Sequence, residues 1–199
     1  MSLLSVSDAY GSRASEYIEA VGSIEHAAAP DMALIARWAR GIEGPVLDVG
    51  CGPGQWTHFL TSLGVDAEGV DPVAEFIESA KLSYPAERYR LGRAEALDVD
   101  DGVLGGVLAW YSLIHVNPRQ LGAALEEFAR CIRLGGGLAL GFFAGEKLEP
   151  FDHAIITAYS WPIDLLKGEV EAAGFVVTHT ESRIERPGRT HGAILAHRC

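Results

Sequence analysis

The sequence has few basic residues and no long hydrophobic run, and each shortage excludes a class of protein. It has 16 Lys and Arg residues against 27 Asp and Glu residues, for a formal net charge of −11. An acidic chain repels phosphate backbones, so we expect no nucleic acid as substrate or partner. No apolar stretch reaches the roughly 18 residues of a membrane span, so we expect no membrane partner either.

Cysteine is also scarce, which excludes a disulfide framework. Cys51, Cys131 and Cys199 are odd in number and form no CxxC pair. This pattern is typical of free thiols in a reducing compartment, and it does not indicate a zinc site. The first eight residues lack the basic start and apolar segment of a secretory signal. We therefore expect a cytoplasmic protein without a metal site.

The length and the hydrophobic content predict a single folded domain. Hydrophobic residues make up 48% of the 199 positions, which is enough for a large core. Helical spacing starts near Tyr10, where Ser7 or Asp8 is a candidate cap, and a second helix opens at Pro30-Asp31. Because both precede the first predicted strand, we divide the domain, 1–199, into a helical cap at 1–44 and an α/β core at 45–199.

One stretch organises the rest of the chain: PVLDVGCGPGQWT, residues 45–57. Its apolar start predicts a buried strand, and the following spacing predicts a helix. Gly50, Gly52 and Gly54 lie between them, where glycine lets a ligand approach the main chain and the helix start favours an anion. A dinucleotide fingerprint would place the third glycine one residue later. The alternative to a cofactor-binding turn is an ordinary glycine turn between a strand and a helix, as in any α/β protein.

With Asp48 before the first glycine, this stretch resembles motif I of the class I S-adenosylmethionine (SAM)-dependent methyltransferases. Residues 92–97 resemble the Gly-Asp-Ala-Glu-x-Leu stretch of that family, although Arg93 stands where Asp is usual. Residues 133–143 resemble its turn into strand five. The resemblance implies a Rossmann-like, seven-stranded mixed sheet of order 3-2-1-4-5-7-6. Strand 7 is antiparallel in that fold, helices cover both faces, and an N-terminal helical cap is added.

The resemblance also implies which residues bind the cofactor. Asp71, at the end of the second predicted strand, is expected to accept hydrogen bonds from the ribose hydroxyls, although Asp-Pro is also a helix-start signal. The Ala94 main chain and Glu95 are candidates for adenine, and Arg93 is a candidate for stacking on it. Tyr10, Arg13 or Tyr17 is expected to face the ligand. The predicted contacts are Tyr10, Tyr17, Asp48, Gly50, Cys51, Gly52, Asp71, Pro72, Ala94, Glu95, Trp110 and Tyr111.

Three features outside that set have two interpretations each. His115 is a candidate general base, or a core histidine between Ile114 and Val116. Residues 146–161 are aromatic and irregular, and they form either a substrate lid or core packing. The one basic cluster attracts an anionic group of the substrate or, as we favour, forms a solvated turn. Its members are Arg183, Arg186, Arg189 and His191.

The sequence thus predicts a SAM-dependent methyltransferase that moves a methyl group to a small-molecule acceptor by in-line displacement. The product of the cofactor would be S-adenosylhomocysteine (SAH). A non-catalytic SAM-binding or sensor protein would have the same motifs, and an NAD-dependent oxidoreductase is a less favoured alternative. No pattern in the sequence identifies the acceptor atom, the substrate or the oligomeric state.

Overall fold

A computed structural model of the chain describes residues 10–11, 13–184 and 188–199. The candidate caps Ser7 and Asp8, and Arg186 of the basic cluster, lie outside the described residues. Before the sheet come helix α1 (Ala14–Val21), a short 3₁₀ helix (Ile24–His26) and helix α2 (Ala29–Ala39). The division between a cap at 1–44 and a core at 45–199 stays a prediction.

The sheet and its helices alternate along the remaining chain. The first half contains β1 (Val46–Val49), α3 (Gln55–Ser62), β2 (Ala67–Asp71), α4 (Ala74–Ser83) and β3 (Arg88–Leu91). The second half contains β4 (Leu104–Trp110), a 3₁₀ helix (Pro118–Gln120), α5 (Leu121–Cys131), β5 (Ile132–Ala144), β6 (Glu149–Phe151), β7 (Ala158–Trp161), α6 (Ile163–Ala172), β8 (Phe175–Ile184) and β9 (Thr190–Arg198).

The order of the main strands confirms the predicted topology. β1 lies between β2 and β4, with β3 beyond β2 and β5 beyond β4, and all these pairs are parallel. β9 then pairs antiparallel with β5, and β8 pairs antiparallel with β9. The order β3-β2-β1-β4-β5-β9-β8 is therefore the expected order, with an antiparallel strand inserted next to the last one.

The sheet also contains two strands that the sequence did not predict, which makes nine among the described residues. β5 continues past the end of β4, since Trp110 pairs with Gly141 while β5 runs on to Ala144. The main chain of Phe143 and Ala144 thus has an open edge, and β7 pairs with it in parallel. β6 pairs antiparallel with β7. The expectation of an irregular segment at 146–161 is therefore wrong at its hydrogen-bonded strands.

The terminal hairpin is longer than predicted. The sequence suggested strands at 175–177 and 192–196, whereas β8 covers Phe175–Ile184 and β9 covers Thr190–Arg198. Along most of β8 half-buried residues alternate with exposed ones. Because polar side chains such as Thr178 and Glu181 occupy these positions, the sequence there shows no alternation of apolar residues that would predict a strand. The extra length brings the outer end of the hairpin toward the functional edge of the sheet.

The core lies on both faces of the sheet, and β4 is buried along its whole length. On one face Leu108 and Trp110 pack with residues of α2 and α3. On the other face Val107 and Ala109 pack with residues of α5 and α6. Burial of each large apolar side chain contributes about 1.5–3 kcal/mol. No helix in the described ranges is both long enough and apolar enough to cross a membrane.

Candidate functional site

The glycine turn lies where β1 ends, and its three glycines adopt backbone angles that other residues avoid. The φ angles of Gly50, Gly52 and Gly54 are 72°, 54° and 90°. The N–H groups of Gly50 and Cys51 both donate to the carbonyl of Val70, at 2.7 and 3.1 Å. A Cβ atom on Gly50 would lie 2.2 Å from the Cβ of Ser112. The turn therefore presses its main chain against the segment that follows β4.

Two cavities open at this edge of the sheet, and Gly50 lines both of them. The larger cavity has a volume of about 780 Å³ and is lined by residues that follow β2, β3 and β4. These include Pro72, Gly92, Arg93, Ala94, Glu95, Ser112 and His115. The smaller cavity has a volume of about 300 Å³, and its walls include Tyr10, Tyr17, Cys51, Gly52, Gln55, Trp56, Trp110 and Tyr111. Such crevices at the carboxyl ends of strands are where open α/β sheets bind ligands.

Asp71 is buried at the end of β2 and holds the glycine turn in place. Its Oδ2 accepts a hydrogen bond from the N–H of Gly52 at 2.9 Å, and its Oδ1 accepts one from the N–H of Val73 at 2.8 Å. Burial raises the pKa of the Asp71 carboxyl to about 6, and the two N–H groups oppose that rise. Asp71 is absent from the walls of both cavities, whereas Pro72 lines the larger one.

Asp48 lies beneath the turn and faces helix α3. The hydroxyl of Thr57 donates to its Oδ2 at 2.7 Å, which ties β1 to the first turn of that helix. Burial raises the pKa of Asp48 to about 7, an effect that the Thr57 hydrogen bond opposes and the charge of Asp71 reinforces. Asp48 lines neither cavity. The structure therefore gives it a supporting position under the turn.

Tyr10 and Tyr17, which come from the segment before the sheet, both line the smaller cavity. The hydroxyl of Tyr10 lies 2.7 Å from Nε2 of His115, and Nδ1 of His115 lies 2.8 Å from the carbonyl oxygen of Thr157. A carbonyl only accepts, so Nδ1 carries the hydrogen and Nε2 accepts from Tyr10. Burial lowers the pKa of His115 to about 4. Both ring nitrogens are engaged, which leaves His115 poorly placed as a general base.

Arg13, the third candidate in that segment, does not line either cavity. Its Nη2 pairs with Glu16 at 2.6 Å, and its Nη1 donates to the carbonyl of Ala154. Its side chain is 42% exposed. Arg13 thus joins the cap to the loop between β6 and β7.

Arg93, which stands where the family usually has Asp, is paired with a neighbouring carboxylate. Arg93 forms an ion pair with Glu95, and both side chains line the larger cavity together with Ala94. The N–H of Leu97 donates to Glu127 at 2.8 Å, which fixes the end of this stretch against α5. The three residues therefore lie where the adenine contacts were expected, and stacking by Arg93 stays a prediction.

The far wall of the smaller cavity is built from β4, β5 and the terminal hairpin. Tyr111 and His191 are hydrogen-bonded, with Oη and Nδ1 2.5 Å apart. Asp31 of α2 is 6% exposed, and it pairs with Arg183 and accepts from Nε1 of Trp110 at 3.4 Å. All five residues line the smaller cavity. The expectation of a solvated turn is therefore wrong for Arg183 and His191.

Arg189, a further member of the basic cluster, has a different neighbour. Its guanidinium carbon lies 3.6 Å from the ring centroid of Phe151 on β6, and its Nη2 donates to the carbonyl of Asp152 at 3.3 Å. Arg189 thus packs on the segment that the sequence marked as a lid. The cluster is split between the cavity wall and this contact.

Several residues that line the cavities were not predicted from the sequence, and some of them have buried polar atoms without a hydrogen-bond partner among the described residues. The Oε1 atom of Gln55, the Oγ atom of Ser112 and Nδ1 of His153 are buried with no hydrogen-bond partner among the described residues. Gln55 directly follows the third glycine of the motif, so its position was a usable signal. Asp31 and Phe143 come from distant elements, and only the fold brings them to the cavity.

Across residues 10–11, 13–184 and 188–199, no group of three or more His, Cys, Asp or Glu residues is placed to hold a metal ion. The free thiols of Cys51 and Cys131 are buried, and that of Cys199 is exposed. Burial raises the pKa of the Cys51 thiol well above its usual value, so this thiol is held protonated beside the glycine turn.

The comparison with protein families favours the methyltransferase interpretation. Residues 46–136 match the methyltransferase domain family, and they make up 91 of the 199 residues. The match runs from β1 to the first residues of β5, so it includes the glycine turn, Asp71 and the Gly92–Leu97 stretch.

Two methyltransferases resemble the chain in sequence over part of their length. An uncharacterised methyltransferase of Mycobacterium tuberculosis is 36% identical over 95 residues, which cover 48% of this chain and 38% of that protein. The malonyl-[acyl-carrier protein] O-methyltransferase of Salmonella typhimurium is 31% identical over 134 residues, or 67% of this chain and 51% of that protein. The chain thus spans about half the length or less of these two relatives.

Solved methyltransferase structures share the fold. The 1,6-didemethyltoxoflavin-N1-methyltransferase of Burkholderia thailandensis, solved with 1,6-didemethyltoxoflavin and SAH, superposes with a TM-score of 0.78 at 19% identity. The superposition covers 100% of this chain and 91% of that one. A SAM-dependent methyltransferase of Methanosarcina mazei gives a TM-score of 0.72 at 16% identity, over 83% of this chain and 96% of that one. The fold is therefore that of the class I methyltransferases.

Proposed function

We propose that this chain, which is similar to methyltransferases, binds SAM and transfers its methyl group to a small-molecule acceptor, with SAH as the second product. The observation that carries the proposal is the glycine turn at Gly50, whose main chain forms a wall shared by the two cavities. A donor that extends across this turn would place its two halves in different cavities. The reacting sulfur would then lie near the shared wall.

The larger cavity suits the adenosyl half of the donor. Ala94 and Glu95 line the part of it that follows β3, and Pro72 lines the part next to the buried carboxyl of Asp71. A carboxylate at a strand end can accept hydrogen bonds from both ribose hydroxyls. The partnerless Oγ of Ser112 adds a polar atom beside Gly50. The donor set therefore fits a nucleoside.

The smaller cavity suits the methionine half and the acceptor. The buried Oε1 of Gln55 needs a hydrogen-bond donor, and an amino group beside the turn supplies one. Trp110 and Tyr111 line the same cavity, where an aromatic ring near a sulfonium contributes about 0.5–2 kcal/mol. When bound, SAM supplies an activated methyl group on a good leaving group.

The residues of the chain would act mainly by positioning and by excluding water. Tyr10 and Tyr17 close the smaller cavity from the side of α1. Holding two reactants in line removes about 7–11 kcal/mol from a barrier. A cavity of about 300 Å³ is at the small end of ligand sites, which favours a small acceptor group. The Burkholderia structural neighbour, solved with 1,6-didemethyltoxoflavin, is an example of this fold with a small acceptor.

Calorimetric titration with SAM, SAH and NAD tests the cofactor, and transfer of labelled methyl into a small-molecule extract tests the reaction. We expect SAM and SAH to bind, NAD not to bind, and label to enter a small product. Binding of NAD with no response to SAM would overturn the proposal. Tight SAM binding without transfer to any compound would indicate a sensor in place of an enzyme.

A further inference from the structure

Tyr111 has a strained backbone at the end of β4. Its φ is 57°, in the left-handed region that a bulky residue rarely adopts. Such a conformation costs about 1–3 kcal/mol and persists where the surroundings enforce it. Here the N–H of Tyr111 donates to the carbonyl of Gly141 at 3.0 Å. The strain turns the side chain out of the strand and into the smaller cavity.

His191, on β9, forms a hydrogen bond with the hydroxyl of Tyr111, which follows β4. It lies in a row of cross-strand neighbours, paired with Phe143 on β5 and with Arg183 on β8. Residues directly opposite on neighbouring strands share one face, so the three side chains point to the same side. The Oη atom of Tyr111 and Nδ1 of His191 are 2.5 Å apart. A tyrosine and a basic nitrogen in such close contact can exchange a proton.

The other histidines near the cavities are weaker candidates for this task. His115 already uses both ring nitrogens, toward Tyr10 and Thr157. The pKa of His153 is lowered by burial and by the nearby charge of Arg189. Its ring packs at 5.1 Å from that of His115 and at 6.0 Å from that of Phe143. Among the described residues, Tyr111 and His191 therefore form the hydroxyl–imidazole pair of the wall built from β4, β5 and the terminal hairpin.

The same wall indicates the shape of the acceptor. The ring of Phe143 lies 5.2 Å from that of Tyr111 and 5.5 Å from that of His191. The ring of Tyr111 in turn meets that of Trp110 at 5.8 Å. Aromatic side chains at such distances favour a flat partner that packs on a face or an edge. The limited volume of the smaller cavity favours one or two rings over a chain.

We infer that the smaller cavity takes a planar acceptor with a weakly acidic O–H or N–H group, and that Tyr111 receives its proton while passing its own proton to His191. This inference rests on the proposed methyl transfer. In the step, the acceptor O or N forms a bond to the methyl carbon as the carbon–sulfur bond breaks. The electron pair of that bond stays on sulfur, which becomes a neutral thioether. The acceptor proton ends on Tyr111, and the Tyr111 proton ends on Nδ1 of His191.

The test uses a panel of phenols and benzimidazoles of graded acidity, with labelled SAM, in the full chain. Tyr111→Phe keeps the ring and removes the hydroxyl, and His191→Asn keeps a hydrogen-bond acceptor near the Nδ1 position without a titrating ring. We expect kcat to fall about 10²–10⁴-fold in Tyr111→Phe for weakly acidic members. The loss should shrink toward about tenfold or less for 4-nitrophenol, which needs little help to ionise. His191→Asn should show the same trend.

Two control variants remove similar groups outside both cavities. Tyr84→Phe removes a hydroxyl that donates to the carbonyl of Gly22, and His197→Asn removes an imidazole on the same strand as His191. These should keep wild-type kcat. An equal loss in Tyr111→Phe for all acceptors would assign Tyr111 a merely structural role and overturn the inference. A wild-type chain that binds SAM but methylates no panel member would also overturn it, with the proposed function intact. Absence of SAM binding would defeat the proposed function itself.

Discussion

Two carboxyl groups, Asp48 and Asp71, are buried on neighbouring strands, and the charge of Asp71 acts on Asp48. Burial raises both pKa values, to about 7 and about 6, from an ordinary value of 3.8. An acid whose pKa is raised on folding stabilises the protein below its unfolded pKa, and this contribution is lost as pH rises through the folded pKa. For this pair the loss falls between about pH 4 and about pH 7.

We therefore expect the melting temperature of the cofactor-free protein to fall between about pH 4 and about pH 7, and Asp48→Asn to flatten that fall. The amide keeps an acceptor for the Thr57 hydroxyl and has no charge to bury. Scanning calorimetry over this range is the measurement, and Asp164→Asn on the exposed side of α6 is the matched control. An unchanged pH dependence in Asp48→Asn would contradict the argument.

Asp71→Asn should weaken SAM binding more than tenfold, because it removes a charge that strengthens hydrogen bonds to the ribose. We prefer it to Asp71→Ala, since asparagine keeps an acceptor for one of the buried N–H groups of Gly52 and Val73, whereas alanine would leave both unpaired, at about 1–3 kcal/mol each. Calorimetry on the folded variant is the measurement. Asp66→Asn, at the exposed residue just before the same strand, should bind normally. Equal affinity in both variants would exclude the ribose role.

Among the structural elements, the cap and the loop between β6 and β7 meet at one histidine. His115 accepts from Tyr10 of the cap segment and donates to Thr157 of the loop. Around them, Tyr10, Ala14, Val73 and Phe76 form a small core with Ile155 and Ile156 at its edge. His115 therefore links the segment before the sheet to the loop between β6 and β7, in addition to the hydrogen bond from Arg13 to Ala154.

Removing that ring should loosen both elements together. In His115→Ala we expect faster amide hydrogen exchange in residues 13–21 and in residues 152–158, because each loses its hydrogen bond to the core. His58→Ala, which breaks a contact with Glu87 on the outside of α3, is the control. Faster exchange confined to residues 111–117 would show that His115 does not link the two elements.

The sequence predicted the parts of the fold that depend on local patterns, and it missed those that depend on distant contacts. The strand, turn and helix around Gly50 form from neighbouring residues. β6 and β7 form only because β5 runs past the end of β4 and leaves an open edge. No periodicity in residues 146–161 encodes that edge.

The same distinction applies to the candidate site. Gly50, Ala94 and Trp110 were predicted, and each lies in a motif that can be identified in a single stretch. Tyr111 and His191 are 80 positions apart, and Asp31 and Arg183 are 152 positions apart. Neither pairing has a signal in the sequence, since only the antiparallel insertion of β9 brings the hairpin against β5. The favoured interpretation of the basic cluster was therefore wrong for the two residues that face the cavity.

For the whole molecule, the net charge of −11 should favour SAM over SAH, because SAM carries an additional positive charge on sulfur. Mobile ions shorten the reach of such a field from about 30 Å at about 10 mM salt to about 3 Å at about 1 M. We expect the ratio of SAH to SAM dissociation constants to fall about twofold or more over that range. Paired titrations at each salt concentration measure it, and a constant ratio would show that only local contacts distinguish the two.

The terminal hairpin has a consequence for how such a protein can diversify. In the proposed function, the residues around the donor follow β1, β2 and β3, whereas Arg183 and His191 come from β8 and β9, more than 80 residues later in the chain. If that proposal holds, changes in the hairpin would alter the accepted compound and leave the nucleoside pocket as it is. A library of variants in β8 and β9, with the residues from β1 to β3 kept constant, would be a direct route to new methylation specificities.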